Sequence, residues 1–381
     1  MCDTACSPAV PGLQRTVIHT AVHNRRADTP ETPCKWGTFD HIGPSGFPRR
    51  RLHAYRAIMR ANPSIEHLLD QAQADRRCAI GATSADRRAL AARVHSGSIV
   101  TPYRGMYARR DYWDALNPID RTLHTVRALA LQHPAWVFAG LTAACIHSYD
   151  HSWSLHGDGI ISIASPRPNQ PGDERRLHRI YIRDFDGIRV NGLLVTDPIR
   201  TLLDCGGEYS FVEALPLFDS AARQGVQIGK VNILCNTLGL DSSNIRLLCA
   251  HASALSDNGG ESTIRALIIS NGFLPPEVQR PFANPNNPNA PYRADLTWRL
   301  PDDRIIVAEY DGMAKYVAQE GMKRRTIQAA VQAERARETN LMAQGVSLII
   351  RLDFDDIVNP ERLIGKLTAA GIPRASQPFV L

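Results

Sequence analysis

At 381 residues the chain exceeds one ordinary hydrophobic core and fits two or three domains of about 100 to 150 residues each. Its 44% hydrophobic and 22% charged residues are those of a soluble globular protein, and no apolar run reaches the roughly 18 to 20 residues that span a bilayer, which excludes transmembrane roles. The net charge of +6 is uneven: residues 1–120 hold 17 basic against 11 acidic side chains, whereas 121–254 and 255–381 are each balanced. A local basic excess is the electrostatic footprint of a nucleic-acid-binding segment, although basic tails without such a partner are also common.

The N-terminus carries neither the basic start nor the apolar stretch of about 7 to 15 residues of a signal peptide, so the expected address is the cytoplasm. In that compartment cysteines stay reduced. Cys2, Cys6, Cys34, Cys78, Cys145, Cys205, Cys235 and Cys249 are scattered, with no Cys-x-x-Cys pair and no His spacing to complete a zinc site, and are expected to be free thiols.

Residues 1–60 are rich in Pro, Thr, His and Arg, lack a sustained period and include Arg49-Arg50-Arg51, and are expected to be a disordered basic tail. From Ser64, Ile65, Leu68, Leu69 and Ala72 recur at helical spacing, predicting a helix to about Ala74. Ser84 is placed as the cap of a second helix over 85–95, with Leu90, Ala91 and Val94 inward, Arg87, Arg88 and Arg93 outward, and Gly97 as its stop. Residues 98–109 then read as a hairpin turning near Arg104-Gly105. Two helices and a basic hairpin over 61–112 are the order of a winged-helix-like unit, whose helix enters the major groove and whose hairpin touches the backbone.

Residues 78–107, ending in Tyr103-Arg-Gly-Met-Tyr107, resemble the N-terminal domain of AbiEi-type antitoxins. The resemblance implies DNA contacts from Arg87, Arg88, Arg93, Tyr103 and Arg104. It continues through a middle domain over 113–250, with a helix at 118–132, a strand at Ala135–Phe138, a helix over 140–147, and Thr196-Asp-Pro-Ile-Arg-Thr-Leu-Leu-Asp204 before a helix around 210–223. Asp197 is expected to begin a helix and Asp204 to sit near its end. His147 and His151 are expected to be core or surface residues, not ligands. No chemistry is evident in this third, which is assigned structural or partner-binding roles.

Asn258-Gly-Gly-Glu261 opens a helix in which Glu261, Ile264 and Ile268 share one face. A carboxylate there is also what a helix N-terminus favours, by about 0.3 to 1 kcal/mol. Next come an alternating segment, Tyr292–Leu300, and a nearly continuous apolar one, Arg304–Asp311, joined by Pro301-Asp302-Asp303. If all three of these residues form the loop of a β-hairpin, Leu300 faces Arg304, Asp295 falls opposite Glu309, and Asp311 shares their face. A two-residue loop would move Asp295 to the other face. Clustered carboxylates repel one another unless a cation or proton sits among them, and a hard divalent ion is the natural partner. Lys315, beyond Gly312, is either a group that stabilises a phosphate or a surface lysine. Gln319–Gln344 reads as one helix carrying Lys323, Arg324, Arg325, Arg335 and Arg337, a solvated face or a contact to DNA phosphates. A strand at Val346–Asp353 and a helix from Pro360 to Ala370 close the chain.

The order of helix Glu, strand Asp and Glu-x-Asp-Gly resembles the PD-(D/E)xK nuclease superfamily, and in particular very-short-patch-repair-like endonuclease domains. Matching segments include Glu261-Ser262, Gln279, Arg293-Ala-Asp295, Glu309-Tyr-Asp-Gly312 and Leu348-Ile-Ile-Arg351, and cover nearly all of 255–372. The resemblance implies an α/β domain with a mixed sheet flanked by helices, catalytic Glu261, Asp295, Glu309, Asp311 and Lys315, and Mg2+ or Mn2+ held by Asp295 and Glu309. The superfamily's lysine two positions after the Glu is Asp311 here, and the relatives' frequent His is Lys315. The expected function is that of a DNA-associated endonuclease-like protein of defence or toxin–antitoxin systems. The alternatives are an inactive transcriptional regulator and a protein that docks a cognate toxin.

Overall fold

The computed structural model describes residues 62–169, 176–241, 243–312 and 324–375, except the side chains of 324–330. The basic tail expected over 1–60, Lys315 and Lys323 lie outside the described residues. The chain is mixed α/β throughout, and residues 62–375 fall within one compact unit.

Helices α1 (Pro63–Ala74) and α2 (Ser84–His95) pack with strands β1 (Ala79–Ile80), β2 (Ile99–Tyr103) and β3 (Met106–Arg109), which form a small sheet in the order β1-β3-β2. The caps differ from the expected ones. Asn62 caps α1 because Pro63 fills the first helical position, where no amide hydrogen is needed, and Thr83 caps α2 in a reciprocal box with Asp86. Leu90 is buried as expected, but Ala91 is exposed and Ala89 packs inward instead. The β2–β3 hairpin turns at Arg104-Gly105, where Gly105 adopts φ +73°, a left-handed conformation that costs glycine little.

The middle of the chain supplies α3 (Arg110–Ala115), α4 (Pro118–Gln132), α5 (Gly140–Ile146), a 3-10 turn at Trp153–His156, two strand pairs and four further helices. Strands β4 (Ile161–Ser165) and β5 (Leu177–Tyr181) run parallel, and β6 (Ile188–Val190) and β7 (Leu193–Val195) antiparallel. Instead of a strand at 135–138, only single bridges form, from Phe138 to Ile163 and to Val195. The helices are α6 (Pro198–Glu208), α7 (Phe211–Arg223), α8 (Gly229–Thr237) and α9 (Ser243–His251). Asp197 caps α6 by accepting from the amides of Ile199 and Arg200, and Asp204 bonds Arg200 at 2.7 Å.

Helix α10 (Gly259–Ser270) leads into the largest sheet: β8 (Glu277–Phe282), β9 (Tyr292–Arg299), β10 (Ile305–Asp311) and β11 (Val346–Asp353), in the order β11-β10-β9-β8. Only β10–β11 is parallel, because α11 (Arg324–Ala343) carries the chain between them. Helices α12 (Phe354–Val358) and α13 (Pro360–Ala369) follow. One sheet face packs Leu296, Trp298, Ile306 and Ala308 against Ile264 and Ile268 of α10 and Leu363 and Leu367 of α13. The opposite face packs Ala294 and Val307 against Leu341 of α11.

The segments read from the sequence as separate domains share cores. Cys78 and Met106 join a cluster with Val126, Phe138 and Ile163, and Ala266 and Ile269 of α10 join the core of α6 to α9. Beneath that second seam Arg265 of α10 forks onto Asp219 of α7 at 2.7 and 2.6 Å, both side chains fully buried. Asp219 also accepts the Ser253 amide at 2.8 Å. Such a pair is costly to desolvate and more costly to break, since the survivor is an uncompensated buried charge.

Candidate functional site

The β9–β10 ladder ends beside two of the predicted carboxylates, and among the described residues no three of the four predicted carboxylates bring their ligand oxygens within 4.8 Å of one another. The loop between β9 and β10 has three residues, Asp303 takes φ +61°, and the Leu300 amide bonds the Arg304 carbonyl at 2.9 Å. That fixes the register, which runs from Ile305 opposite Arg299 to Ala308 opposite Leu296. The next step along would set Asp295 against Glu309, and there the β9–β10 ladder stops. The Asp295 carboxylate instead accepts the Tyr310 amide at 2.9 Å, so a side-chain oxygen satisfies a backbone donor that a strand partner would otherwise meet.

On the other flank of β9, Gln279 lies between the pairs Val278–Leu296 and Arg280–Ala294, level with Asp295. Its φ of +52° is left-handed, a conformation that costs a non-glycine residue on the order of 1 kcal/mol or more. The distortion accompanies a specific contact. The buried Gln279 amide donates to Asp295 Oδ1 at 3.0 Å and to Glu261 Oε2 at 3.1 Å, joining the helix carboxylate to the strand carboxylate.

Glu261 occupies the first turn of α10, which Asn258 caps by accepting from the amides of Gly260 and Glu261. The carboxylate in turn accepts from Asn258 Nδ2 at 2.6 Å and from the Asp257 amide at 3.0 Å. Burial raises its pKa, the Asp257 amide opposes the rise, and the charge of Asp295 adds to it. Glycine is required beside it, because a Cβ on Gly260 would overlap the Tyr310 ring.

Glu309 is only 6% exposed and accepts from Arg337 Nη2 at 2.8 Å. Burial first, and the neighbouring Asp295 charge second, push its carboxyl up to about 7 against the opposing pull of Arg337. Asp311, on the same face, lies 3.9 Å from Arg351, which also meets Glu338 at 2.5 Å and Glu334. Arg337 is not part of a solvated stripe: it is turned onto the sheet, with Glu309 and the Arg293 carbonyl as its acceptors.

The residues expected to touch DNA fall into two groups. Arg87, Arg88 and Arg104 are exposed. Arg93 is half-buried and 3.6 Å from Glu66, and Tyr103 packs partly onto the core below the hairpin. Residues 62–120 hold eight basic against seven acidic side chains, so five of the six excess positive charges belong to residues 1–61.

In the middle region His147 bonds the Thr196 carbonyl at 2.9 Å, an ordinary interior contact. His151 is half-buried beside two other side chains. Its Nε2 stands 2.8 Å from His156 Nε2, and both are 3.5 Å from the Cys145 sulfur. The signal was the run Cys145-x5-His151-x4-His156, which a search built on paired cysteines passes over.

No family model, curated protein or solved structure gives a significant match to this chain. Among the described residues no helix is long and apolar enough to cross a membrane.

Proposed function

We propose that residues 255–372 form a metal-dependent endodeoxyribonuclease domain of the PD-(D/E)xK type, and that the helix–helix–hairpin unit over 61–112 is a winged-helix-like module that holds the DNA. The observation that carries the reading is the junction where β9 and β10 part. There Gln279 joins Asp295 to Glu261 by hydrogen bonds, and the charge of Asp295 acts on the buried Glu309. Their donors are all carboxylate oxygens, the donor type that a hard divalent cation such as Mg2+ or Mn2+ takes. Asp295 and Glu309 would hold the ion, which when bound polarises a phosphoryl oxygen and acidifies a water.

The chain's own groups prepare that site. Gln279 fixes the Asp295 carboxylate, and the Tyr310 amide orients its other oxygen. Glu309 is a ligand only after losing its proton and swinging free of Arg337, which leaves that guanidinium available for a phosphate oxygen of the DNA.

The same ion pair favours a second reading, in which Arg337 permanently takes the place of the cation and the domain serves DNA binding in a transcriptional regulator. Nicking of supercoiled plasmid with Mg2+ or Mn2+ separates the two. Cleavage by the wild type and its loss in Glu309→Ala are expected. Equal cleavage by both proteins would remove the proposed site, and DNA binding without cleavage under either ion would establish the regulator.

A further inference from the structure

Outside the carboxylate cluster, one group of side chains has donor atoms directed at a single point. Cys145 projects from the last turn of α5, and His151 and His156 come from the segment that turns back across it. Cys145 is buried and the two imidazoles are partly so. Among the described residues, these are the only three His, Cys, Asp or Glu side chains whose potential ligand atoms all lie within 4.8 Å of one another.

The hydrogen bonds to the far sides of the rings fix the proton of His151 and suit the same tautomer of His156. His151 Nδ1 is 2.6 Å from the Tyr149 carbonyl, which can only accept, so Nδ1 bears the hydrogen. His156 Nδ1 is 3.1 Å from Thr122 Oγ1, and when the hydroxyl proton goes to the Pro118 carbonyl at 3.1 Å this Nδ1 donates as well. Each neutral ring is then left with a lone pair on Nε2, and the two Nε2 atoms face each other at 2.8 Å. Two lone pairs at that distance repel unless a cation lies between them.

We propose that Cys145 Sγ, His151 Nε2 and His156 Nε2 form a zinc site with a fourth position for a water molecule. A tetrahedral zinc ion with ordinary bond lengths needs roughly 3.6 Å between sulfur and nitrogen ligands and roughly 3.3 Å between nitrogens. The two sulfur–nitrogen separations of 3.5 Å meet this already, and the nitrogens need to part by about half an ångström. One thiolate with two imidazoles suits zinc and not magnesium, which takes oxygen ligands. Binding breaks the Cys145 S–H bond, forms a Zn–S bond and releases one proton to solvent. The Tyr149 carbonyl and Thr122 hydroxyl are the outer partners that hold metal-bound histidines in orientation.

The open position has a route to solvent. Cys145 and His151 line a cleft of about 670 Å3 whose opposite wall is Gly260, Thr263 and Tyr310 of the C-terminal region. His156 lines a second cleft of about 510 Å3.

The test uses the full-length protein with Zn2+ alone and with Co2+ as a spectroscopic substitute. One Zn2+ per chain is expected, and Co2+ should give a near-ultraviolet thiolate-to-metal band with the strong visible bands of tetrahedral cobalt. Cys145→Ser and His156→Gln should lose the thiolate band or the tetrahedral bands respectively, whereas Thr122→Val should weaken binding about 10 to 100-fold with the band retained. The combined variant Cys2→Ser, Cys6→Ser, Cys34→Ser should bind as the wild type does. That control keeps the test decisive even where Cys145→Ser fails to fold. Absence of a thiolate band in the wild type, its disappearance in the combined variant, or undiminished binding by a folded Cys145→Ser would each overturn the proposal.

Discussion

The two polar clusters of this chain solve opposite electrostatic problems. The cluster on the C-terminal sheet gathers Glu261, Asp295 and Glu309, an excess of negative charge that Gln279 and Arg337 offset only in part. The cluster at α5 gathers a thiol and two imidazoles with, among the described residues, no carboxylate or guanidinium hydrogen-bonded to them. Hard oxygens attract hard cations, and sulfur with nitrogen attracts borderline ones. The donor chemistry of the two proposed sites would keep their metals apart, and the Asp219–Arg265 pair ties α7 to α10.

That tie sets the largest expected effect. Asp219→Ala leaves the Arg265 guanidinium buried without its partner and should destabilise the chain by about 3 to 5 kcal/mol in urea unfolding. A change below about 1 kcal/mol would mean that water reaches the pair and that the two regions are less firmly joined than the buried contact implies. Next in size, Asp295→Ala should reduce Mg2+-dependent nicking on the order of 100-fold or more, with Cys145→Ser changing it little. A comparable reduction in both variants would dissolve the distinction between the sites. Gln279→Ala, which removes an outer partner of Asp295, should cost about 10 to 100-fold in the same assay or in Mn2+ affinity.

The raised pKa of Glu309 gives a pH test with a definite sign. Its carboxyl moves from 4.5 when unfolded to about 7 when folded, so its contribution to stability is full below 4.5 and is lost as pH rises through about 7. Glu309→Gln, which cannot ionise, should gain on the wild type by about 1 to 3 kcal/mol between pH 4 and pH 8 in denaturant titrations. Mn2+ binding by the wild type should strengthen over the same upper range, since only the carboxylate is a ligand. A flat difference between the two proteins would show that Arg337 already compensates Glu309 in full. The smallest effect belongs to the N-terminal unit. Neutralising Arg87, Arg88 and Arg104 should lower the slope of log affinity against log salt by about one for each phosphate no longer neutralised. An unaltered slope would move the DNA contacts to residues 1–61, where most of the basic excess lies.

Much of this architecture was legible because local rules dictate it. The bounds expected for α4, α7, β11 and α13 lie within a residue or so of those observed, and α10 begins one residue after Asn258 as expected. The turn chemistry of Pro301-Asp302-Asp303 set the register that carries Asp295 toward Glu309, because in a hairpin the loop length alone decides which residues face each other. Sequence could not say what neutralises these acids. Arg337 sits 28 residues beyond Glu309 and Gln279 precedes Asp295 by 16, and only the packing of α11 and the distortion at Gln279 bring them into contact. The same limit explains Arg265, a helix arginine that resembles any surface residue until α7 presents Asp219 to it.

The Cys145-x5-His151-x4-His156 run shows the boundary most plainly. The residue types and their spacing were present in the chain, but spacing restricts ligands without aiming them. Where the lone pairs point depends on the Tyr149 carbonyl and on Thr122, which α4 brings across from 34 residues before His156. Local sequence determined the elements and the hairpin register, because those depend on neighbours along the chain. Tertiary structure alone decided the partners of each charge and the direction of each lone pair, because these are set by groups distant in sequence whose meeting is fixed by the packing of the core.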